Sequence, residues 1–321
     1  MKSNRPENAI LVSTYKRLCH HLNAFAANKY PFVILIGSPG LGKTRSIREV
    51  MGDRPHVLID NHATAFGLYE SCHRHQDQPI ILDDLDHLYR DGKCVRLMKA
   101  LCNTERTKTM RWVSKHPMVG DQPGQIPSIF MTTSPICLLA NEWKTTNENV
   151  RAVEDRAIVL EFKPSPAELH REVGGWYQNR TVYDFLGKHL SLIPRHSMRH
   201  YVRGDQLYDA NPGEWPALLL EAMGVDDRIR KIVTLAADDE FRTEEERAEE
   251  FEAAGLGSRA TYFRWKKNLR DSAKPAAASS APTEAKWDSP TTSIGLVHLA
   301  GGDHPTYHET PAMEIVQAQS A

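Results

Sequence analysis

The chain has 321 residues, a formal net charge of −1 and 25% charged residues. That length allows one sizeable core plus a smaller domain, and the balanced charge excludes a global field for nucleic acid or membrane, so any basic surface must be local. The five cysteines are odd in number and lack a C-x-x-C pair, so they read as reduced thiols; no run approaches the roughly 18 apolar residues of a membrane span. With no apolar core of a signal peptide at the N-terminus, the expected location is the cytoplasm.

In chain order, residues 10–27 carry apolar side chains at helical spacing (Leu11, Leu18, Leu22, Phe25). They predict a helix lying against the next domain. Phe32-Val33-Ile34-Leu35-Ile36 then reads as a buried strand. It runs into Gly37-Ser38-Pro39-Gly40-Leu41-Gly42-Lys43-Thr44, and Arg45 onward reads as helix. Strand, glycine loop and helix in that order are the context of a P-loop. Backbone N–H groups and the helix N-terminus would cradle phosphates. Lys43 would reach the β- and γ-phosphates, and the Thr44 hydroxyl would ligate Mg²⁺. The alternative is a glycine-rich turn after a buried strand; the flanking elements favour a bound nucleoside triphosphate.

Residues 56–60 predict a second strand, and residues 63–75 a helix capped by Asn61 or Thr64. Within it, Cys72-His73-Arg74-His75 lacks a second ligand pair at zinc spacing. Pro79-Ile80-Ile81-Leu82-Asp83-Asp84 follows. An apolar run ending in two acids delivers carboxylates to the C-terminal edge of a parallel sheet. Asp83 is placed to hold Mg²⁺, and Asp84 to orient or deprotonate an attacking water.

After a helix at 95–102, Arg106, Lys108, Arg111 and Lys115 surround Trp112 ahead of a Pro/Gly-rich loop. This predicts an exposed basic hairpin, which either grips a phosphate backbone or is simply solvated. Residues 126–131 predict a further strand ending in Thr132-Thr133-Ser134, whose polar tip would face the γ-phosphate. A short helix at 149–156, a strand at 157–162 and a helix from Ala167, capped by Ser165, complete that layer.

Together these elements resemble AAA+ ATPases over roughly residues 10–205. The resemblance implies an α/β fold: a P-loop parallel sheet with flanking helices, a small helical lid and a C-terminal helical module. It implies that Ser134, or Thr133 beside it, is the polar sensor facing the γ-phosphate. Arg156 falls where such proteins carry an arginine finger toward a neighbouring subunit, with Arg151 as competitor. Arg199, in Ile193-Pro194-Arg195-His196-Ser197-Met198-Arg199, resembles the lid arginine that contacts the γ-phosphate in cis. Asp84 departs from the family's usual Glu. It is similar to helicase-loader and transposition ATPases, and it leaves the rate of hydrolysis open.

Farther on, Thr243-Glu244-Glu245-Glu246 has a capping-box pattern. After Gly255-Leu256-Gly257, the segment 258–270 holds five cations and no acid. Two helices about a glycine turn suggest a helix-turn-helix, with Ser258, Arg259 and Thr261 toward base edges. Arg264, Lys266 and Lys267 would lie along phosphates. An acidic helix paired with a basic one in a small bundle is the alternative. Beyond it, Ala, Ser, Pro and Thr dominate, and disorder is expected.

The expected organisation is an N-terminal helix (1–30), a nucleotide-binding domain (31–165), a lid (166–210), a helical segment at 225–271 with the helix-turn-helix pattern, and a disordered tail (272–321). The expected function is an ATP-dependent, Mg²⁺-dependent oligomer that remodels or loads a partner on DNA, in replication or transposition, with no membrane involvement. The competing expectation is an ATP-switched DNA-binding adaptor or scaffold that hydrolyses little. A small-molecule P-loop kinase is less favoured, because no acceptor site is evident.

Overall fold

The computed structural model describes residues 6, 8–60, 64–83, 91–103, 105–113, 115–120, 122–143 and 148–272. Asn61, Asp84 and the tail beyond Ser272 lie outside the described residues. The first part of the chain runs β1 (Ile10–Val12), α1 (Tyr15–Ala26), β2 (Phe32–Ile36), α2 (Lys43–Met51), β3 (Val57–Asp60), α3 (Ala65–Arg74) and β4 (Ile80–Asp83). It continues with α4 (Gly92–Leu101), β5 (Lys108–Arg111), β6 (Ile129–Thr132), β7 (Ile136–Ala140), α5 (Glu148–Glu154) and β8 (Ile158–Phe162).

Six of these strands form one parallel sheet in the order β1-β8-β2-β7-β4-β3. Every residue of β2 and β7 is buried, as expected of central strands covered on both faces. The pleat divides them between two cores. Phe32, Ile34 and Ile36 pack with α3, α4 and α5, while Val33 and Leu35 pack with α1 and α2. Burying each such side chain contributes about 1.5–3 kcal/mol.

The first helix starts at Tyr15, not at residue 10. Ile10–Val12 is instead an edge strand in register with Leu160–Phe162, and Thr14 caps the helix by accepting from Arg17 N. Of the two caps considered for α3, Thr64 accepts from Gly67 N at 3.0 Å. The second correction is larger. Ile129–Thr132 does not join the main sheet; it pairs antiparallel with β5, opposite Lys108–Arg111. The strand beside β2 is β7, which runs Ile136 opposite Phe32 to Ala140 opposite Ile36.

The basic hairpin is therefore real but only partly basic on its surface. Lys108 is fully buried, donating to Pro31 O at 3.1 Å and Ser134 O at 2.7 Å. Burial lowers its pKa to about 8. Its ammonium ties the hairpin to the segments entering β2 and β7.

Helices α6 (Pro166–Gly174), α7 (Arg180–Lys188), α8 (Arg199–Ala210) and α9 (Trp215–Ala222) follow, with a 3₁₀ turn at Leu190–Leu192. Leu169, Val182, Tyr201, Trp215 and Leu219 extend the core beneath α1 and α2, so α9 packs into the same lid core as α8. A small separate core is built from α10 (Asp227–Ala237), α11 (Glu244–Ala253) and α12 (Arg259–Ser272), around Ile232, Leu235, Phe251 and Tyr262. The capping box at Thr243 and Glu246 forms as its spacing predicts.

Candidate functional site

Because all six strands run the same way, their C-terminal ends share one edge of the sheet. The loop after β2 rises from that edge at the point where strand order reverses, with β8 on one side and β7 on the other. Open parallel sheets bind ligands at such a crevice. Gly40 and Gly42 hold φ of +78° and +77°, a left-handed region that side chains rarely adopt. Gly42 is the N-cap of α2 and supplies no side-chain cap, so the N–H groups of the first turn face the loop. Tyr15 Oη, on α1, donates to Leu41 O at 2.9 Å and ties the loop to the N-terminal helix.

Lys43 opens α2 and is 7% exposed. Its Nζ donates to Gly37 O at 2.6 Å, Ser38 O at 3.2 Å and Asn141 Oδ1 at 3.0 Å. One residue on, Thr44 Oγ1 donates to Asp83 Oδ2 at 2.7 Å. A hydroxyl and a carboxylate held this close form half of a hard-cation site, with the amine beside them. Asp84, the expected partner for water, lies outside the described residues.

The residue at the tip of β7 is Asn141, and it was not among the sequence candidates. Thr133 and Ser134 precede β7 and so lie at the opposite edge of the sheet from the loop. Ser134 Oγ donates to His75 O, and Thr133 N donates to Gln76 O at 2.7 Å. Both side chains serve the turn between α3 and β4, so neither is a sensor of the phosphate site. The polar strand tip does exist, but it ends the next strand.

Met198 N, at the start of α8, donates to Gly40 O at 2.8 Å. A Cβ on Gly40 would collide with Ser197 Oγ, and one on Gly42 would lie 2.7 Å from Met198 Sδ. The lid helix thus begins against the phosphate loop, with exposed Arg199 as its first residue.

A switch-point P-loop, an acid at the tip of β4, a polar tip on β7 and a docked helical lid now stand in one arrangement. This is a P-loop α/β fold.

No family model matches the chain, and no curated protein matches it. Among solved structures it is similar to domain III of the Thermotoga maritima replication initiation protein DnaA, at 11% identity and a TM-score of 0.41, covering 70% of this chain and 98% of that one. It is also similar to a DNA replication initiation factor, at 14% identity and a TM-score of 0.39, covering 86% and 89% of the two chains. A third likeness is to C. elegans PCH-2, at 15% identity and a TM-score of 0.38, covering 68% and 70%.

In the α/β core, exposed Arg156 stands just before β8, whose first residue pairs with Val33 and so begins at the edge remote from the P-loop. Burial raises the Cys102 thiol, and the nearby Arg156 cation partly offsets that. Arg156 cannot serve the phosphate site of its own chain from there. Arg151 is likewise exposed, on α5.

The C-terminal cations divide into two groups. Arg259 pairs with Glu249 and lies 3.9 Å from Glu252, and Lys266 pairs with Glu244. Glu244 also accepts from Tyr262 Oη at 3.0 Å, and these donors hold its carboxyl below the usual range. Acidic α11 thus neutralises part of basic α12, which is the bundle alternative seen in the sequence. Ser258 Oγ lies 3.3 Å from Thr261 Oγ1 at the helix start. Arg264 and Lys267 remain exposed. Among the described residues, no helix is long and apolar enough to cross a membrane.

Proposed function

We propose that this chain binds and hydrolyses ATP with Mg²⁺, self-associates when ATP is bound, and acts on a protein partner on DNA, in replication loading or mobile-element transposition. The observation that carries the ATPase reading is the meeting of Lys43, Thr44, Asp83 and Asn141 at one sheet edge. A Mg–nucleoside triphosphate fits this donor set, which offers an ammonium, a hydroxyl, a carboxylate and a helix start without a side-chain cap. Bound there, the nucleotide supplies the phosphoanhydride whose cleavage resets the switch.

Each residue then has a role. Lys43 holds phosphate oxygens, and Thr44 with Asp83 holds the metal. Asn141 orients the attacking water, and Asp84 accepts its proton. Arg199 reaches the γ-phosphate in cis from the lid. Arg156, with Arg151 as competitor, reaches a neighbour's site. Ser258, Thr261, Arg264 and Lys267 meet DNA directly, and Arg259 and Lys266 do so by exchanging their acidic partners for phosphates.

One sequence feature favours a second reading, an ATP-switched DNA-binding adaptor. The acid after Asp83 is Asp84, one methylene shorter than Glu, which weakens its reach toward a water. ATP turnover and molecular mass, each measured without DNA, with single strands and with duplex, separate the two. Turnover that depends on Lys43 supports the ATPase. ATP binding with no turnover under any condition supports the adaptor, and absence of ATP binding overturns both.

A further inference from the structure

Between α4 and the β5 strand of the hairpin lies a groove of about 320 Å³. Lys93, Arg96 and Arg111 line it, together with Leu97, Trp112 and Val113. We infer that this groove binds a single strand of nucleic acid, phosphates on its three cations and bases against its apolar wall. The inference rests on the proposed action on DNA and names its contact surface.

Lys93, Arg96 and Arg111 are exposed, and among the described residues none forms an ion pair with an acid. Arg96 Nε donates to Gly92 O at 3.1 Å, which leaves its other N–H groups outward. Asp91, the nearest described acid in sequence, caps α4 by accepting from Lys93 N at 2.9 Å and from Cys94 Sγ at 3.4 Å; it keeps its charge and attracts Lys93 without forming an ion pair with it. The contrast with α12 is direct, because Arg259 and Lys266 there are already neutralised by α11. In a chain of net charge −1, three cations with one acid beside them give the groove, among the described residues, a local positive excess.

Lys93 and Arg96 stand three residues apart on α4, so their Cβ atoms are neighbours on one helix face, roughly 5–6 Å apart. Arg111 faces them from β5, and the fold holds it there because buried Lys108 pins that strand to the main sheet. Trp112 is half-buried, with Phe66 at 5.4 Å and Tyr69 at 5.3 Å between ring centroids fixing its plane. Val113 beside it is 96% exposed. Cations along a track with an aromatic and aliphatic wall suit unstacked bases.

The test uses the full chain and fluorescein-labelled dT20, read by anisotropy over a salt series. The triple variant Lys93→Ala/Arg96→Ala/Arg111→Ala should bind dT20 at least tenfold more weakly. Its salt slope should flatten by about two units, since each phosphate contact on a single strand contributes about −0.7. Lys16→Ala/Arg17→Ala, which removes two exposed cations of α1, should retain affinity for dT20 within about twofold. Thermal melting and ATP turnover of the groove variant should match wild type, which separates a lost contact from a lost fold. If the melting does not match, Arg96→Glu alone replaces the triple variant, with the same tenfold loss expected. Wild-type affinity in the groove variant, no dT20 binding by wild type, or tighter binding of polyglutamate than of dT20 overturns the inference. A Lys43→Ala protein that keeps full turnover would instead overturn the ATPase reading and leave the groove result standing.

Discussion

Lys43 Nζ and Asn141 Oδ1 lie 3.0 Å apart, joining the first residue of α2 to the tip of the neighbouring strand β7. The contact sets the amine that would hold phosphates beside an amide that would hold a water. It also fixes which polar strand tip belongs to the site.

Asn141→Ala should therefore bind ATP near normally and hydrolyse it about 10²-fold more slowly, the usual cost of one missing donor at a reacting centre. Ser134→Ala should leave turnover near wild type, because its hydroxyl serves His75 O at the far edge. Steady-state turnover of both variants decides the matter. Loss in Ser134→Ala with none in Asn141→Ala would reverse the assignment.

Asp83→Asn removes the charge that accepts from Thr44 Oγ1 at 2.7 Å. Turnover should collapse at every Mg²⁺ concentration, while the melting temperature should shift little, because the side chain ends a strand without packing into the core. A Mg²⁺ titration of turnover, run beside a thermal melt, is the check. Activity unchanged at all Mg²⁺ levels would move the metal elsewhere.

Arg156 stands just before β8, at the edge of the sheet opposite the P-loop. Arg156→Ala should bind ATP and lose roughly 10³–10⁵ in rate if it completes a neighbour's site. Mixing Arg156→Ala with Lys43→Ala protein should restore part of the activity, since each supplies what the other lacks. Turnover per chain independent of protein concentration, with no recovery in any mixture, would exclude a shared site.

Lys108 carries a pH signature. Its pKa in the folded chain is lowered from 10.5 to about 8 by burial. Below pH 8 both states hold the proton, and the folded chain bears the full cost of a buried charge. Between about pH 8 and 10.5 the unfolded chain binds more protons, so stability should rise with pH, by up to about 1.4 kcal/mol per unit from this group. Urea unfolding of wild type and Lys108→Met across pH 7.5–9.5 isolates it: the difference should move in favour of wild type as pH rises. A constant difference would mean the ammonium is not buried in solution.

The phosphate loop, its strand and Asp83 were legible because each is a contiguous run whose chemistry and local structure coincide. Glycines at Gly40 and Gly42, an apolar strand before them and a helix after them need no distant partner to be recognised. The strand tip at Asn141 was different. Thr132-Thr133-Ser134 and Ala140-Asn141 both end short apolar strands, and only pairing decides which strand lies beside β2. Register is a long-range property, and no local pattern carries it. Lys108 misled for the same reason: four cations around Trp112 read as surface, but the alternation of β5 turns that lysine inward, where two backbone carbonyls satisfy it. On α12 the cations were visible, yet their acidic partners on α11 were not, because the turn between the helices sets which side chains meet. Chain-local chemistry came from the sequence alone. Which polar groups share an edge, which charges are buried and which cations stay free for a ligand were decided by strand order and helix packing.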